Sequence, residues 1–130
     1  MATGETIIRV AGFTAAYNGQ VILSQLNFEV CRGEVFIILG GSGCGKSTLL
    51  KHMIGLYAPA AGTILIDGDN VTTAEGVERQ QLLRKFGVMY QSGALFGSMT
   101  VLDNVCLPLQ EFTDLPADAI RVIASMKLQR

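Results

Sequence analysis

The stretch Gly40-Gly41-Ser42-Gly43-Cys44-Gly45-Lys46-Ser47-Thr48 decides how the rest of this 130-residue chain is read. It matches the pattern G-x-x-x-x-G-K-[ST], a loop whose backbone wraps phosphate groups. Before it, Val35-Phe36-Ile37-Ile38-Leu39 is a continuous apolar run, the pattern of a parallel strand covered on both faces. After it, Thr48-Leu49-Leu50-Lys51-His52-Met53-Ile54 reads as a helix, and Gly55 as its stop. Strand, loop and helix in that order are the context the motif requires. The glycines let main-chain N–H groups approach a phosphate without a Cβ in the way. With the helix N-terminus, those groups form an anion-binding concavity. Lys46 is placed to reach the β- and γ-phosphates of a nucleotide, and the Ser47 hydroxyl to ligate Mg²⁺. Cys44 shares that ring of N–H groups beside Lys46 and is either a thiol made reactive by that setting or a small residue tolerated because its side chain points away.

Composition narrows the class. Hydrophobic residues are 49% of the chain and charged residues 16%, as if part of the surface were meant to be covered. The net charge of −1 does not favour nucleic acid. No apolar run approaches the ~18 residues of a membrane span. Met1-Ala2-Thr3-Gly4-Glu5 lacks the basic and apolar regions of a signal peptide. Cys31, Cys44 and Cys106 show no C-x-x-C spacing, so neither a zinc site nor a disulfide framework is expected.

Along the chain, Thr6 to Phe13 reads as a first strand and Asn18-Gly19 as a tight turn. Val21-Ile22-Leu23 and Leu26-Asn27-Phe28-Glu29-Val30 follow, the second with one apolar face. Tyr17, alone in a polar stretch, is either a packing residue or a platform on which a base could stack. Thr63-Ile64-Leu65-Ile66 is a strand and Asp67-Gly68 a hairpin-type turn. Thr72 or Thr73 is expected to cap a helix from about Ala74 to Lys85, with Glu78, Arg79, Arg84 and Lys85 as its solvated face. Gly87-Val88-Met89-Tyr90 reads as a short buried strand ended by Gln91, followed by a loop to Met99. Thr100-Val101-Leu102-Asp103 has the capping-box form and opens a helix through Val105 and Leu107, with whose end Pro108 is compatible. A last helix starts near Asp114-Leu115-Pro116, with Ile120, Val122, Ile123 and Met126 on its apolar face.

Taken together, these features resemble the ATP-binding subunit of ABC transporters, aligned with its first half. Tyr17 is similar to the aromatic residue that stacks on adenine in that family. Residues 40–48 match its phosphate loop, and Gly62-Thr63-Ile64-Leu65-Ile66-Asp67-Gly68 its following hairpin. Gln91 is similar to the Q-loop glutamine, which contacts Mg²⁺ or the attacking water and relays nucleotide state to a membrane subunit. A narrower pattern runs from Tyr90 through Phe96, then Met99 to Val105 and Leu107-Pro108-Leu109. It resembles the bacterial ATPases that move phospholipid between inner and outer membranes.

The resemblance implies an α/β P-loop NTPase fold, a RecA-like core with an antiparallel β subdomain, incomplete in residues 1–130. It implies ATP and Mg²⁺ as cofactors, catalytic roles for Lys46 and Gln91, and Mg²⁺ contacts from Ser47 and Gln91. Tyr17 and each residue from Gly40 to Thr48 would contact nucleotide. The implied partners are a membrane permease and a second ATP-binding subunit in a homodimer. Membrane contact would run only through the permease, at the cytoplasmic face of a bacterial inner membrane. The family's signature motif L-S-G-G-Q, its catalytic glutamate and its switch histidine are not found. His52, the sole histidine, sits inside the phosphate-loop helix. With no recognisable general base, the chain by itself is expected to bind nucleotide with little turnover. A nucleotide-binding piece without turnover is therefore the alternative. A small-molecule kinase would need a substrate lid for which no stretch is apparent. The parallel neighbours of residues 35–39 are also expected to lie outside this chain, leaving that run uncovered.

Overall fold

Four strands form one antiparallel sheet: Thr6–Tyr17 (β1), Gln20–Cys31 (β2), Ala61–Ile66 (β3) and Asp69–Asn70 (β4), in the order β2-β1-β3-β4. The computed structural model describes residues 4–129, so Met1, Ala2, Thr3 and Arg130 lie outside the described residues. Two compact units divide the chain, Met1–Phe86 and Gly87–Arg130.

In the first unit, β1 and β2 form one long hairpin, where the sequence suggested a shorter strand and two separate segments. Backbone irregularities account for the difference. Val10 and Phe13 are three residues apart yet both buried, which an ideal strand of period two forbids. Gly12, with φ of 57°, supplies the extra residue of a bulge, and its N–H donates to Asn27 Oδ1 at 2.8 Å. Gly62, across the sheet, must also lack a side chain, because a Cβ there would sit 2.6 Å from the Ala11 carbonyl oxygen. Asn18 and Gly19 both have positive φ, 49° and 79°, as the two-residue turn joining Tyr17 to Gln20 demands. On β2, Leu26, Phe28 and Val30 turn inward while Asn27 and Glu29 are exposed, as the alternation predicts.

The core of this unit joins Val10, Phe13 and Ala15 of β1 to Ile64 and Ile66 of β3, with Val71, Leu82 and Leu49. Each large apolar side chain so buried contributes about 1.5–3 kcal/mol. Leu49 lies on Lys46–Met53 (α1), which begins two residues earlier than the sequence suggests. Gly55 closes it with φ of 79°, its N–H donating to the His52 carbonyl at 3.0 Å.

Gly76–Leu83 (α2) is shorter than expected, and neither threonine caps it. Asn70 Oδ1 instead accepts from both the N–H and the hydroxyl of Thr72, holding a turn ahead of the helix. The charged residues of this region are more than a solvated face. Arg79 donates to the Gly55 carbonyl at 2.8 Å, and Lys85 Nζ lies 3.0 Å from Asp67 and 2.8 Å from Asp69.

The second unit contains Val101–Phe112 (α3) and Ala117–Leu128 (α4), packed through Cys106, Ile120 and Ala124. Thr100 caps α3, its hydroxyl oxygen accepting from the Asp103 N–H at 3.1 Å. Pro108 does not end this helix. Val105, Cys106 and Leu109 are fastened against α4, so α3 runs past the proline to Phe112 although the proline cannot donate to the Asn104 carbonyl. The buried face of α4 is Ile120 and Ala124, one turn apart, whereas Val122 and Met126 are exposed.

Two expected strands are not paired in the sheet. Gly87–Tyr90 and Val35–Leu39 carry no strand structure, and Val35, Ile37 and Leu39 are 86%, 71% and 88% exposed. An apolar run of this kind is covered on both faces only when parallel strands flank it, and none does among the described residues. An apolar run with Val35, Ile37 and Leu39 facing water is an association site. Sedimentation of the chain should therefore show self-association at micromolar concentration, and Ile37→Lys should reduce it without lowering the melting temperature. A monodisperse parent chain would refute this.

The charge cluster gives a second prediction. Lys85, through its hydrogen bond and then its charge, holds the Asp67 carboxyl below the usual carboxylate range, and Arg32 adds to this. Asp69 and then Asp67 hold the Lys85 ammonium above its ordinary pKa. The Asp67 contribution is full above the ordinary carboxylate range and is lost as pH falls through the depressed value. The Lys85 contribution is full below the ordinary lysine range and is lost as pH rises through the raised value. Melting temperature against pH should thus fall at both ends, and Lys85→Met should make both limbs shallower. Superimposable profiles would mean that the cluster carries no stability.

Candidate functional site

Two glycines shape the phosphate loop. Gly43 and Gly45 have φ of 80° and 99°, conformations that L side chains rarely adopt. Gly45 is also packed. A Cβ there would lie 2.8 Å from Leu23 Cδ2 and 3.3 Å from Ile22 Cγ2, so the loop rests directly on β2. Gly45 is the N-cap of α1 and offers no side-chain cap. The first intrahelical bond runs from the Leu49 N–H to the Gly45 carbonyl at 2.9 Å. The N–H groups of Lys46, Ser47 and Thr48 precede it and form the positive end of the helix.

Lys46 folds back over its own loop. Its ammonium donates to the Gly40 carbonyl and, at 3.0 Å, to the Gly41 carbonyl. These carbonyls hold the cation at the loop, where an anion would compete with them for it. Ser47 is exposed and Thr48 half-buried. Cys44 is exposed, and its Sγ lies against Gly40, where a Cβ would collide with it.

A cavity of about 470 Å³ opens along one face of α1. Tyr17 and Ile22 line it from the β1–β2 hairpin, Thr48, Lys51 and His52 from the helix, and Tyr57 from the segment beyond. Its size is that of a small-molecule site. The structure thus brings Tyr17, 64% exposed at the hairpin tip, onto the same cavity as Thr48 of the phosphate-loop helix. Sequence reasoning missed the contribution of His52 and Tyr57. His52 is buried at 5% exposure, with its ring edge-on to Phe13 at 5.1 Å and to Tyr57 at 5.7 Å. Its Nδ1 donates to the Thr48 carbonyl at 2.7 Å, since a carbonyl oxygen can only accept. The histidine is therefore a wedge that seats α1 on the sheet. No sequence signal marked it, because the partner is a main-chain carbonyl that any residue at 48 would supply.

Gln91 belongs to the second unit. It stands exposed in a turn closed by the Gly93 N–H donating to the Tyr90 carbonyl at 3.2 Å. Beyond it Leu95 and Phe96 are 67% and 61% exposed, while Met99 is half-buried. Asn104, on α3, is the residue that sequence reasoning left without a role. Its amide binds both backbone groups of Phe96.

A glycine loop feeding an uncapped helix N-terminus, a lysine held over that loop, and an aromatic-lined cavity beside it define a P-loop nucleotide-binding cassette. Comparison with known proteins makes the class narrower. The ABC transporter family model matches residues 23–130, and the chain belongs to that family. It is 42% identical over 122 residues to the probable ribonucleotide transport ATP-binding protein mkl of Mycobacterium leprae, covering 94% of this chain and 35% of that protein. It is 38% identical over 125 residues to the intermembrane phospholipid transport system ATP-binding protein MlaF of Haemophilus influenzae, covering 96% of this chain and 47% of that protein. The chain thus spans less than half the length of either curated relative. Among solved structures, the ATP-binding cassette MJ0796, a dimer in a post-hydrolysis state bound to ADP and Pi, superposes with a TM-score of 0.85. That match is 28% identical and covers 95% of this chain and 56% of the other. CbiO1 from Clostridium perfringens, part of an ABC transporter complex, gives 0.71 at 32% identity, over 90% of this chain and 47% of its own. These neighbours bear out the P-loop fold with its antiparallel β subdomain.

The placement of Cys44 is testable by alkylation. Cys44 should label first, ahead of half-buried Cys31 and buried Cys106, and ATP–Mg²⁺ should slow its labelling. Equal labelling with and without nucleotide would count against a phosphate held at this loop.

Proposed function

We propose that this chain is the nucleotide-binding part of an ABC-type ATPase that drives transport of phospholipid between the inner and outer membranes of a bacterium. The observation that carries the nucleotide reading is the joint placement of Lys46 and the open N–H groups at the start of α1 with the Tyr17–Thr48 cavity along the same helix. In this reading Tyr17 stacks on adenine, and residues 40–45 with the first turn of α1 cradle the phosphates. Lys46 exchanges its loop carbonyls for β- and γ-phosphate oxygens. Ser47, exposed at the start of α1, is free to ligate Mg²⁺. Bound Mg²⁺ would neutralise charge on the phosphates. Gln91 is the proposed sensor of nucleotide state, with a permease and a second copy of the subunit as partners at the cytoplasmic face of the inner membrane.

The cargo is the finer part of the proposal. The two relatives carry different transport names, one ribonucleotide and one phospholipid. The phospholipid reading is preferred for the run Tyr90-Gln91-Ser92-Gly93-Ala94-Leu95-Phe96 and the Leu107-Pro108-Leu109 that follows. Deleting the gene and measuring phospholipid in the outer leaflet of the outer membrane tests it, and an unchanged lipid distribution would rule it out. Turnover by the 130-residue chain alone is expected to be slight, because no general base is recognisable among the described residues. Asp67 and Asp69 are occupied by Lys85.

Calorimetry checks the nucleotide site. Lys46→Ala should remove measurable ATP–Mg²⁺ binding, since it deletes the cation held at the loop. Ser47→Ala should weaken Mg²⁺-dependent binding more than Mg²⁺-free binding. Wild-type affinity in Lys46→Ala would overturn the assignment.

A further inference from the structure

From Gly87 to Leu102 the chain carries no charged side chain, and its large apolar residues Met89, Leu95, Phe96 and Val101 are mostly exposed. Side-chain packing therefore does not account for the shape of the segment after Gln91. Its backbone is unusual as well. Gly93 and Ala94 are both left-handed, with φ of 78° and 55°, and the second of these is strained for a residue with a Cβ. Something must hold it.

Asn104 does. Its Oδ1 accepts from the Phe96 N–H at 2.8 Å, and its Nδ2 donates to the Phe96 carbonyl at 3.1 Å. The second Nδ2 hydrogen goes to the Thr100 carbonyl at 2.9 Å. The amide pairs with both backbone groups of Phe96, as a neighbouring strand would, and ties them to the first turn of α3. Thr100 caps that same turn.

We infer that Asn104 is a positioning residue, whose amide sets the conformation of the loop that carries Gln91 and Phe96. Its importance for transport rests on the proposed role of Gln91 as sensor. The chemistry is specific to an amide. A carboxylate at 104 would place an oxygen against the carbonyl oxygens of Phe96 and Thr100, with no proton to donate. A protonated carboxyl regains one donor, so the aspartate form of the clamp depends on pH. The charged groups beside it are Asp103 on α3 and Arg121 on α4, 3.8 Å apart. Both are present in every variant.

The chain has no tryptophan, so Phe96→Trp places a single tryptophan, excited selectively over the tyrosines, at an exposed position. Anisotropy and acrylamide quenching are followed from neutral pH down through the carboxylate range, with far-ultraviolet circular dichroism reporting the helices. With Asn104 the reporter should stay immobile throughout. With Asn104→Asp it should be mobile at neutral pH and recover as the pH falls, and with Asn104→Ala mobile at every pH. A reporter equally immobile in all three overturns the inference. So does an Asn104→Asp form that does not recover, and this form alone decides the matter if Asn104→Ala loses helical signal. Calorimetry with ATP–Mg²⁺ reads the phosphate loop separately, so a failure of the nucleotide reading is distinguishable from a failure of the clamp.

Discussion

The contact of Gly45 with Leu23 is the constraint on which the first unit depends. A left-handed backbone without a Cβ lets the end of the phosphate loop lie flat on β2. That seating fixes where α1 starts, and the start of α1 fixes where its N–H groups point. Ala at this position would meet both costs at once, a disfavoured φ and a close approach to a branched side chain. The hairpin that supplies Leu23 also supplies Tyr17. One strand pair therefore locates both the phosphate cradle and the aromatic residue at the neighbouring cavity.

The helix is held along its length. Leu49 enters the sheet core, His52 stands edge-on against Phe13, and Arg79 donates to the carbonyl of Gly55 just past the C-terminus. A cation there also suits the negative end of the helix. An eight-residue helix is too short to persist alone in water. Its order comes from these three attachments.

The uncovered run Val35–Leu39 and the loop after Gln91 are exposed for different reasons. The run is apolar on both faces and lacks sheet neighbours among the described residues, so it is a surface still to be covered. The loop is held in shape by a polar clamp at Asn104, so its exposed Leu95 and Phe96 are displayed.

Local pattern was enough for what depends on local chemistry. The glycine spacing and Lys46-Ser47 marked the phosphate loop, Asn18-Gly19 and Asp67-Gly68 marked their turns, and Thr100 marked the cap of α3, because each is decided within a few residues. Tertiary structure alone decided the rest. The bulge at Gly12 puts Val10 and Phe13 on one face, which periodicity along β1 cannot reveal. Pro108 stays helical because α4 packs beside it, and Lys85 is paired with Asp67 and Asp69 because the β3–β4 turn folds onto it. Val35–Leu39 has the composition of a buried strand, yet a strand needs partners for its N–H and C=O groups. Pairing is made between segments distant in sequence, so composition can state the requirement and only the fold can meet it.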